Sequence, residues 1–281
     1  MLPATKAQPK EMLPLVDKPA IQYVVEEAVN AGLEEICIII GKGKGSIEEH
    51  FAPSPDLERF LLEKGKEDLL REVRRVSELA RIRFLLQPEP RGLGDAVLQA
   101  RSFVGDEPFA VLLGDDILVG PVPPMTEVIR AARERGGSAV LLQRVPREET
   151  VRYGIVAGTE AVPGLYHLTR LVEKPSPETA PSDLAIIGRY VLQPEVFELL
   201  EEVKGDRSGE IQLTPALEGL ARNRDVWGVL LNGRRMDSGT KLGYLKATVE
   251  LALGREDLGS EFADYLGEIL KEYRRGGFEP S

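Results

Sequence analysis

Short apolar runs alternate with amphipathic stretches along this chain, and that alternation leaves few folds open. Ile36-Cys37-Ile38-Ile39-Ile40 lies in a continuous run that predicts a buried strand over 35–40. Further strands are predicted over 82–87, 109–113 and 139–144, with helical patterns over 94–103 and 125–135 between them. Strands separated by helices of this length imply a mostly parallel sheet with helices on both faces. Before the first strand, Ile21, Val24, Val25, Ala28 and Val29 repeat at helical spacing, opened by Asp17 and Pro19 and ended by Gly32. Ser46 and Glu49 read as a capping box, and 56–80 as a charged helical stretch. The second half is richer in strands, over 154–157, 166–172, 184–192 and 226–231. Helices are expected at 194–202, 213–223, 241–253 and 260–273. Neither a repeat nor an interdomain linker interrupts the pattern, so 1–281 reads as a single domain.

Composition excludes several functions. Lys and Arg number 36 against 46 Asp and Glu, a net charge of −10, so the general surface repels nucleic acid and anionic membranes. A phosphate site must therefore be a local basic pocket. The single cysteine, Cys37, rules out a disulfide within the chain and reads as a buried thiol in a reducing cytosol. No apolar stretch approaches the roughly 20 residues of a membrane span, and no signal peptide opens the chain. His50 and His167 have no ligand spacing, so chemistry must rest on carboxylates, lysines, arginines and backbone amides.

Three glycine-bearing loops could receive phosphate. Gly41-Lys42-Gly43-Lys44-Gly45-Ser46 lies between strand and helix but lacks P-loop spacing, so it reads as a turn. Gln87-Pro88-Glu89-Pro90-Arg91-Gly92-Leu93-Gly94 could admit a ligand close to its backbone, or could be a plain tight turn. Asn232-Gly233-Arg234-Arg235 reads as a simple connection. Asp115 and Asp116 follow an apolar strand, where open α/β sheets bind ligands, and a carboxylate there can hold Mg²⁺. A turn or cap aspartate is the alternative. Asp237 precedes a helix start and reads equally as a cap or as a ligand. Lys10 and Lys174 sit beside prolines in stiff, extended backbone, either as fixed point charges or as solvated lysines. Tyr153-Gly154 and Gly188-Arg189-Tyr190 could face a sugar ring or pack in the core.

Taken in order, these segments resemble the bacterial UTP–glucose-1-phosphate uridylyltransferases. The likeness runs from Met1-Leu2-Pro3-Ala4-Thr5-Lys6 and Pro9-Lys10-Glu11-Met12-Leu13-Pro14 through Gly92-Leu93-Gly94, Leu113-Gly114-Asp115 and Val172-Glu173-Lys174-Pro175. It continues through Gly209-Glu210-Ile211-Gln212-Leu213-Thr214 and Asp237-Ser238-Gly239-Thr240-Lys241 to Leu258-Gly259-Ser260-Glu261-Phe262. The resemblance implies a Rossmann-like three-layer nucleotidyltransferase sandwich with a mostly parallel mixed sheet. Its first half, 1–145, would mainly bind nucleotide, and 146–281 mainly sugar. It implies formation of UDP-glucose and pyrophosphate from UTP and glucose 1-phosphate, with Mg²⁺, in a cytoplasmic homodimer or homotetramer. By matching positions, Gln87 and Gly92 are expected to read uracil, and Asp115 and Asp237 to hold the metal. Lys10 is expected to face the nucleotide phosphates and Lys174 the sugar phosphate, with Gly154, Glu173 and Gly188 as sugar contacts. Such in-line displacement needs alignment and charge neutralisation rather than a base.

Pro215 stands where relatives often have Asp, Arg91 where lysine is common, and Asp116 where an apolar residue is usual. The family pattern also sets an apolar strand and a Gly-x-Gly-Thr-Arg loop before Met-Leu-Pro-Ala-Thr-Lys. A chain beginning at Met1 is therefore expected to lack a central strand of about 5–6 residues and to turn over little; a misassigned start codon, which the upstream DNA would reveal, accounts for it. Other readings are a non-catalytic nucleotide-sugar binder, a thymidylyl- or cytidylyltransferase, or a ligand-free α/β domain.

Overall fold

The computed structural model describes residues 2–206 and 208–276, so Met1 of the opening block lies outside the described residues. Two-residue strands β1 (Pro14–Leu15) and β2 (Lys18–Pro19) pair antiparallel and lead into helix α1 (Ala20–Asn30). Ile21, Val24, Val25 and Ala28 form its buried face, as the helical spacing predicts. Strand β3 (Glu35–Gly41) then runs parallel to β4 (Arg81–Gln87), with Ile38 opposite Phe84.

Helices α2 (Gly45–Phe51), α3 (Pro55–Glu63) and α4 (Glu67–Ser77) make the crossover. The predicted capping box does not form. α2 begins at Gly45, which puts Ser46 inside the first turn, where its buried Oγ has no hydrogen-bond partner among the described residues. The charged stretch is two helices rather than one, because Gly65 turns the chain at φ 65°. Arg74 and Glu58 then meet across them at 2.8 Å.

Helices α5 (Leu93–Gln99) and α6 (Arg101–Val104) precede strand β5 (Phe109–Leu112), strand β6 (Asp116–Val119) and helix α7 (Pro124–Arg135). Strands β7 (Ser138–Arg144), β8 (Gly154–Val162), β9 (Leu165–Glu173) and β10 (Leu184–Leu192) follow. Helices α8 (Val196–Glu202) and α9 (Thr214–Asn223), strands β11 (Val226–Leu230) and β12 (Arg234–Asp237), and helices α10 (Lys241–Leu253) and α11 (Gly259–Arg274) complete the order.

Six strands form the main sheet in the order β5-β10-β7-β11-β9-β8. β7 and β11 pair parallel, but β10 runs antiparallel to β5 and β7, and β9 antiparallel to β11 and β8. The sheet expected to be mostly parallel is therefore mixed, with antiparallel pairings in the majority. Side chains alternate across this sheet, and helices cover both faces. Ala139 and Leu141 pack with Met125 and Val128 of α7; Val140 and Leu142 pack with Phe197, Leu200 and Leu217 of α8 and α9. Met125 and Val128 are fully enclosed, which contributes about 1.5–3 kcal/mol each. Every residue of β10 is buried, as befits a strand paired on both edges and covered on both faces. Among the described strands, β3 and β5 each pair on one edge only, and most of their apolar side chains are half-buried. Cys37 is accordingly half-buried rather than enclosed, and that burial raises its thiol pKa. β6 and β12 form a separate antiparallel ribbon, with Asp237 opposite Asp116.

Candidate active site

After β5 the chain turns through Leu113-Gly114 to Asp115. The Leu113 N–H donates to the Gly188 carbonyl at 2.9 Å, so β10 holds this turn. From the other side, the backbone N–H and hydroxyl of Ser238 donate to the Asp115 carbonyl at 3.2 and 2.8 Å. The ribbon register and these two bonds bring Asp115 and Asp237 together across more than a hundred residues. A Cβ placed on Gly239 would lie 3.0 Å from Asp237 Oδ1, 3.3 Å from Asp115 Oδ2 and 3.9 Å from Lys10 Nζ. Two carboxylates and an ammonium therefore share one small space, which glycine leaves open. Lys10 pairs with Asp115, and the Arg152 guanidinium reaches Asp237 Oδ2 at 3.3 Å. Burial alone would lower the Lys10 pKa, but Asp115 carries it above the usual lysine value.

Asp237 is not the cap of α10. Thr240 takes that role, its hydroxyl accepting from the Gly243 N–H at 3.1 Å, while Asp237 Oδ1 accepts only from the Gly239 N–H at 2.9 Å. Among the described residues no three His, Cys, Asp or Glu side chains group as a metal cage. Two carboxylates facing an open space suit Mg²⁺, which keeps waters and takes further oxygens from substrate phosphates.

A cavity of about 310 Å³ extends from these carboxylates and is lined also by Gly154, Glu173, Lys174 and Gly188. Gly154 opens β8 directly opposite Glu173, whose Oε2 accepts from the Thr214 hydroxyl at 2.5 Å. A Cβ on Gly154 would sit 2.5 Å from that hydroxyl oxygen, and one on Gly188 would sit 2.5 Å from Asp116 Oδ2. Neither lysine has the extended backbone expected of it: Lys10 opens a 3₁₀ turn, and Lys174 adopts a left-handed φ of 44°, its N–H donating to the Tyr153 carbonyl at 2.9 Å. The left-handed turn holds the Lys174 ammonium 3.5 Å from Glu173.

Gln87 and Gly92 stand together at the carboxyl end of β4, outside the cavity lining but next to Leu93, which lines it. Gln87 Nε2 donates to the Gly92 carbonyl at 3.2 Å and to Asp95 at 2.8 Å. Gly92 has φ 95°, and a Cβ there would meet the Ile211 carbonyl at 2.7 Å. Gly92→Ala is accordingly expected to cost about 1–3 kcal/mol of stability, read as a lowered denaturant midpoint with unchanged m. A midpoint equal to the parent's would show that the loop is not held as described.

Several site residues escaped the sequence reading. The Asn232–Arg235 segment is no mere connection: Arg234 and Arg235 belong to β12 because they pair with β6. Arg235 shares a strand face with Asp237, a relation that period-two alternation could have revealed. Its Nε donates to Asp116 Oδ1 at 2.8 Å and its NH1 to the Tyr153 hydroxyl at 3.0 Å. Burial lifts the Asp116 pKa even though Arg235 opposes the shift, and Arg235 itself is held above the ordinary arginine value. Tyr190 and Tyr153 do line the cavity, but Arg189 points away from it and is fully buried. Arg152 and Thr214 carried no local signal beyond their neighbours.

The Nucleotidyl transferase family profile matches residues 1–253. The UTP–glucose-1-phosphate uridylyltransferase of Bacillus subtilis (strain 168) is 48% identical over 271 residues, covering 96% of this chain and 93% of that protein. A UTP-bound UGPase from Acinetobacter baumannii superposes with a TM-score of 0.86 at 39% identity, covering 95% of this chain and 94% of that one. A UDP-glucose pyrophosphorylase complexed with UDP-glucose gives 0.82 at 38% identity, over 91% and 94% of the two chains.

Proposed function

The chain belongs to the nucleotidyl transferase family, among its UTP–glucose-1-phosphate uridylyltransferases, and from that premise we propose how its residues perform the reaction. It forms UDP-glucose and pyrophosphate from UTP and glucose 1-phosphate. A phosphate oxygen of glucose 1-phosphate attacks the α-phosphorus of UTP, the new P–O bond forms, and the bond to pyrophosphate breaks in line. A phosphate monoester at neutral pH is already a nucleophile, so the site needs no general base.

The observation that supports the assignment of roles is the meeting of Asp115 and Asp237 around Gly239 beside Lys10. We take these two carboxylates to hold Mg²⁺, which when bound neutralises phosphate charge and aligns the reacting groups. Lys10 then stabilises charge on the nucleotide phosphates, and Lys174 binds the sugar phosphate. Gln87 and Gly92 receive the uracil edge, with Gly92 fixed by its φ of 95° and the close approach of the Ile211 carbonyl. Glu173, oriented by the Thr214 hydroxyl, accepts from sugar hydroxyls, and the absent Cβ atoms of Gly154 and Gly188 let Thr214 and Asp116 pack against the backbone, which then faces the ring. In this reading 1–145 supplies most of the nucleotide site and 146–281 most of the sugar site.

Among the described residues no helix is long and apolar enough to cross a membrane. With its lone half-buried thiol the chain suits the cytoplasm. Leu242 and Leu245 on α10 and Tyr265 and Leu270 on α11 are exposed, and they support self-association as a homodimer or homotetramer.

Steady-state assays with UTP, glucose 1-phosphate and Mg²⁺ should yield UDP-glucose and pyrophosphate in equal amounts, and EDTA should abolish turnover. UTP should be preferred over dTTP and CTP. Product formation that survives complete chelation would sink the metal assignment, and preference for another nucleotide would sink the base assignment.

A further inference from the structure

Arg152 has no part in the roles above, yet it lines the same cavity and touches a carboxylate at its centre. It ends a short 3₁₀ turn, Arg147–Arg152, immediately before the Tyr153-Gly154 entry to β8. Its NH2 lies 3.3 Å from Asp237 Oδ2, its NH1 3.7 Å from Glu149, and its guanidinium 5.5 Å from the Tyr153 ring centroid. The side chain is 49% exposed. These are loose contacts. Arg235 meets the same tyrosine ring at 5.3 Å but is fixed, because the buried Asp116 and the Tyr153 hydroxyl both hold its guanidinium.

A long arginine with only loose, half-exposed partners can change them at little cost, since exposed ion pairs are worth about 0–1 kcal/mol. A divalent cation at Asp237 would compete with Arg152 for Oδ2 and repel its guanidinium. Once Oδ2 turns to the cation, Arg152 needs another anion within its reach. The cavity it lines also holds Lys174, at the end proposed for the sugar phosphate. We infer that Arg152 exchanges partners: it pairs with Asp237 until a divalent cation takes that carboxylate, and then binds the phosphate of glucose 1-phosphate together with Lys174. The inference rests on the proposed metal role of Asp237.

The geometry gives Arg152 two separable effects. It competes with metal at Asp237, and it contributes a charge-assisted bond to substrate. Arg152→Gln removes both, whereas Arg152→Lys keeps the charge and loses the fork. Mn²⁺ binding to the protein without nucleotide, followed by electron paramagnetic resonance, should tighten about 2- to 5-fold in Arg152→Gln. The KM for glucose 1-phosphate should rise about 10- to 100-fold, while kcat and the KM for UTP stay within about 3-fold. Arg152→Lys should restore part of the glucose 1-phosphate affinity, and it carries the test if the glutamine variant does not fold. Unchanged Mn²⁺ affinity, or a glucose 1-phosphate KM within about twofold of the parent, overturns the exchange. Failure of the metal reading itself shows separately, as Mn²⁺ binding that Asp237→Asn leaves unaltered, and that result overturns both.

Discussion

Asp237→Asn is expected to lower kcat/KM for UDP-glucose formation by about 10²–10³-fold, a loss of about 3–4 kcal/mol of transition-state stabilisation. The substitution is informative because the local fold should survive it. An asparagine oxygen can still accept the Gly239 N–H that Asp237 Oδ1 accepts at 2.9 Å, and Thr240 rather than Asp237 caps α10. The charge is what disappears. Asp115→Asn should behave alike, since the Ser238 bonds fall on the Asp115 carbonyl and not on its side chain. If the two carboxylates act as one unit, the double variant should be little worse than either single one. Steady-state kinetics at saturating Mg²⁺, with unfolding curves as the control for folding, read all three. Near-normal kcat/KM in Asp237→Asn would remove the centre of the proposed mechanism.

The largest stability effect is expected at Arg189, which sits beneath the site on β10 with none of its side chain exposed. Its Nε donates to both oxygens of Glu27 at 3.1 Å and its NH2 to Oε2 at 2.6 Å. The same guanidinium donates to the carbonyls of Leu113, Gly188 and Asp116 at 3.3, 3.0 and 2.9 Å. One buried side chain thus ties together the backbone on either side of Asp115. Glu27 is held equally firmly, because its Oε1 also accepts the Met125 N–H at the start of α7. Arg189→Met would leave the buried Glu27 carboxylate without its cation and would take one donor from each of three carbonyls, although Gly188 keeps the Leu113 N–H. Breaking such a pair from one side costs about 3–5 kcal/mol, a large part of the 5–15 kcal/mol that typically holds a domain together. Urea unfolding should show that loss, and kcat/KM should fall as the Asp115 turn loosens. Adding Glu27→Leu should recover part of the stability, because it removes the uncompensated charge. A single variant within about 1 kcal/mol of the parent would mean that water replaces the lost donor.

Legibility varied with the range of the interaction that made each feature. α1, β10 and α10 could be read with their limits nearly right, because their patterns repeat within ten or so residues. The stretch over 56–80 looked like one helix because charge and period continue through it; only the left-handed turn at Gly65 divides it. Asp115 was legible as a ligand candidate from its place after an apolar strand. Asp237 was balanced between cap and ligand, and the balance turned on Thr240, three residues on, taking the cap. Arg152 had no local mark; Arg235 was marked only by its alternation with Asp237 and Arg189 only by its place in Gly188-Arg189-Tyr190, and neither mark named its partner. Each is defined by a carboxylate 85 or more residues away in the chain, and composition or periodicity does not encode such a partner.

By itself, then, the sequence determined the α/β class, the order of the longer helices and strands but not the short strands β1, β2, β6 and β12, and, through many short blocks in one order, the family and its reaction. These follow from local periodicity and motif identity, which nearest neighbours in the chain carry. Tertiary structure alone decided which charges meet. The antiparallel register of β6 with β12 aligns Asp237 with Asp116, and the Ser238 bonds then bring Asp237 to the Asp115 turn. Burial of β10 puts Arg189 beneath that turn, and the end of a 3₁₀ turn leaves Arg152 within reach of Asp237. Register and burial are set by packing across the whole sheet, and an ion pair is settled only when both partners have been placed.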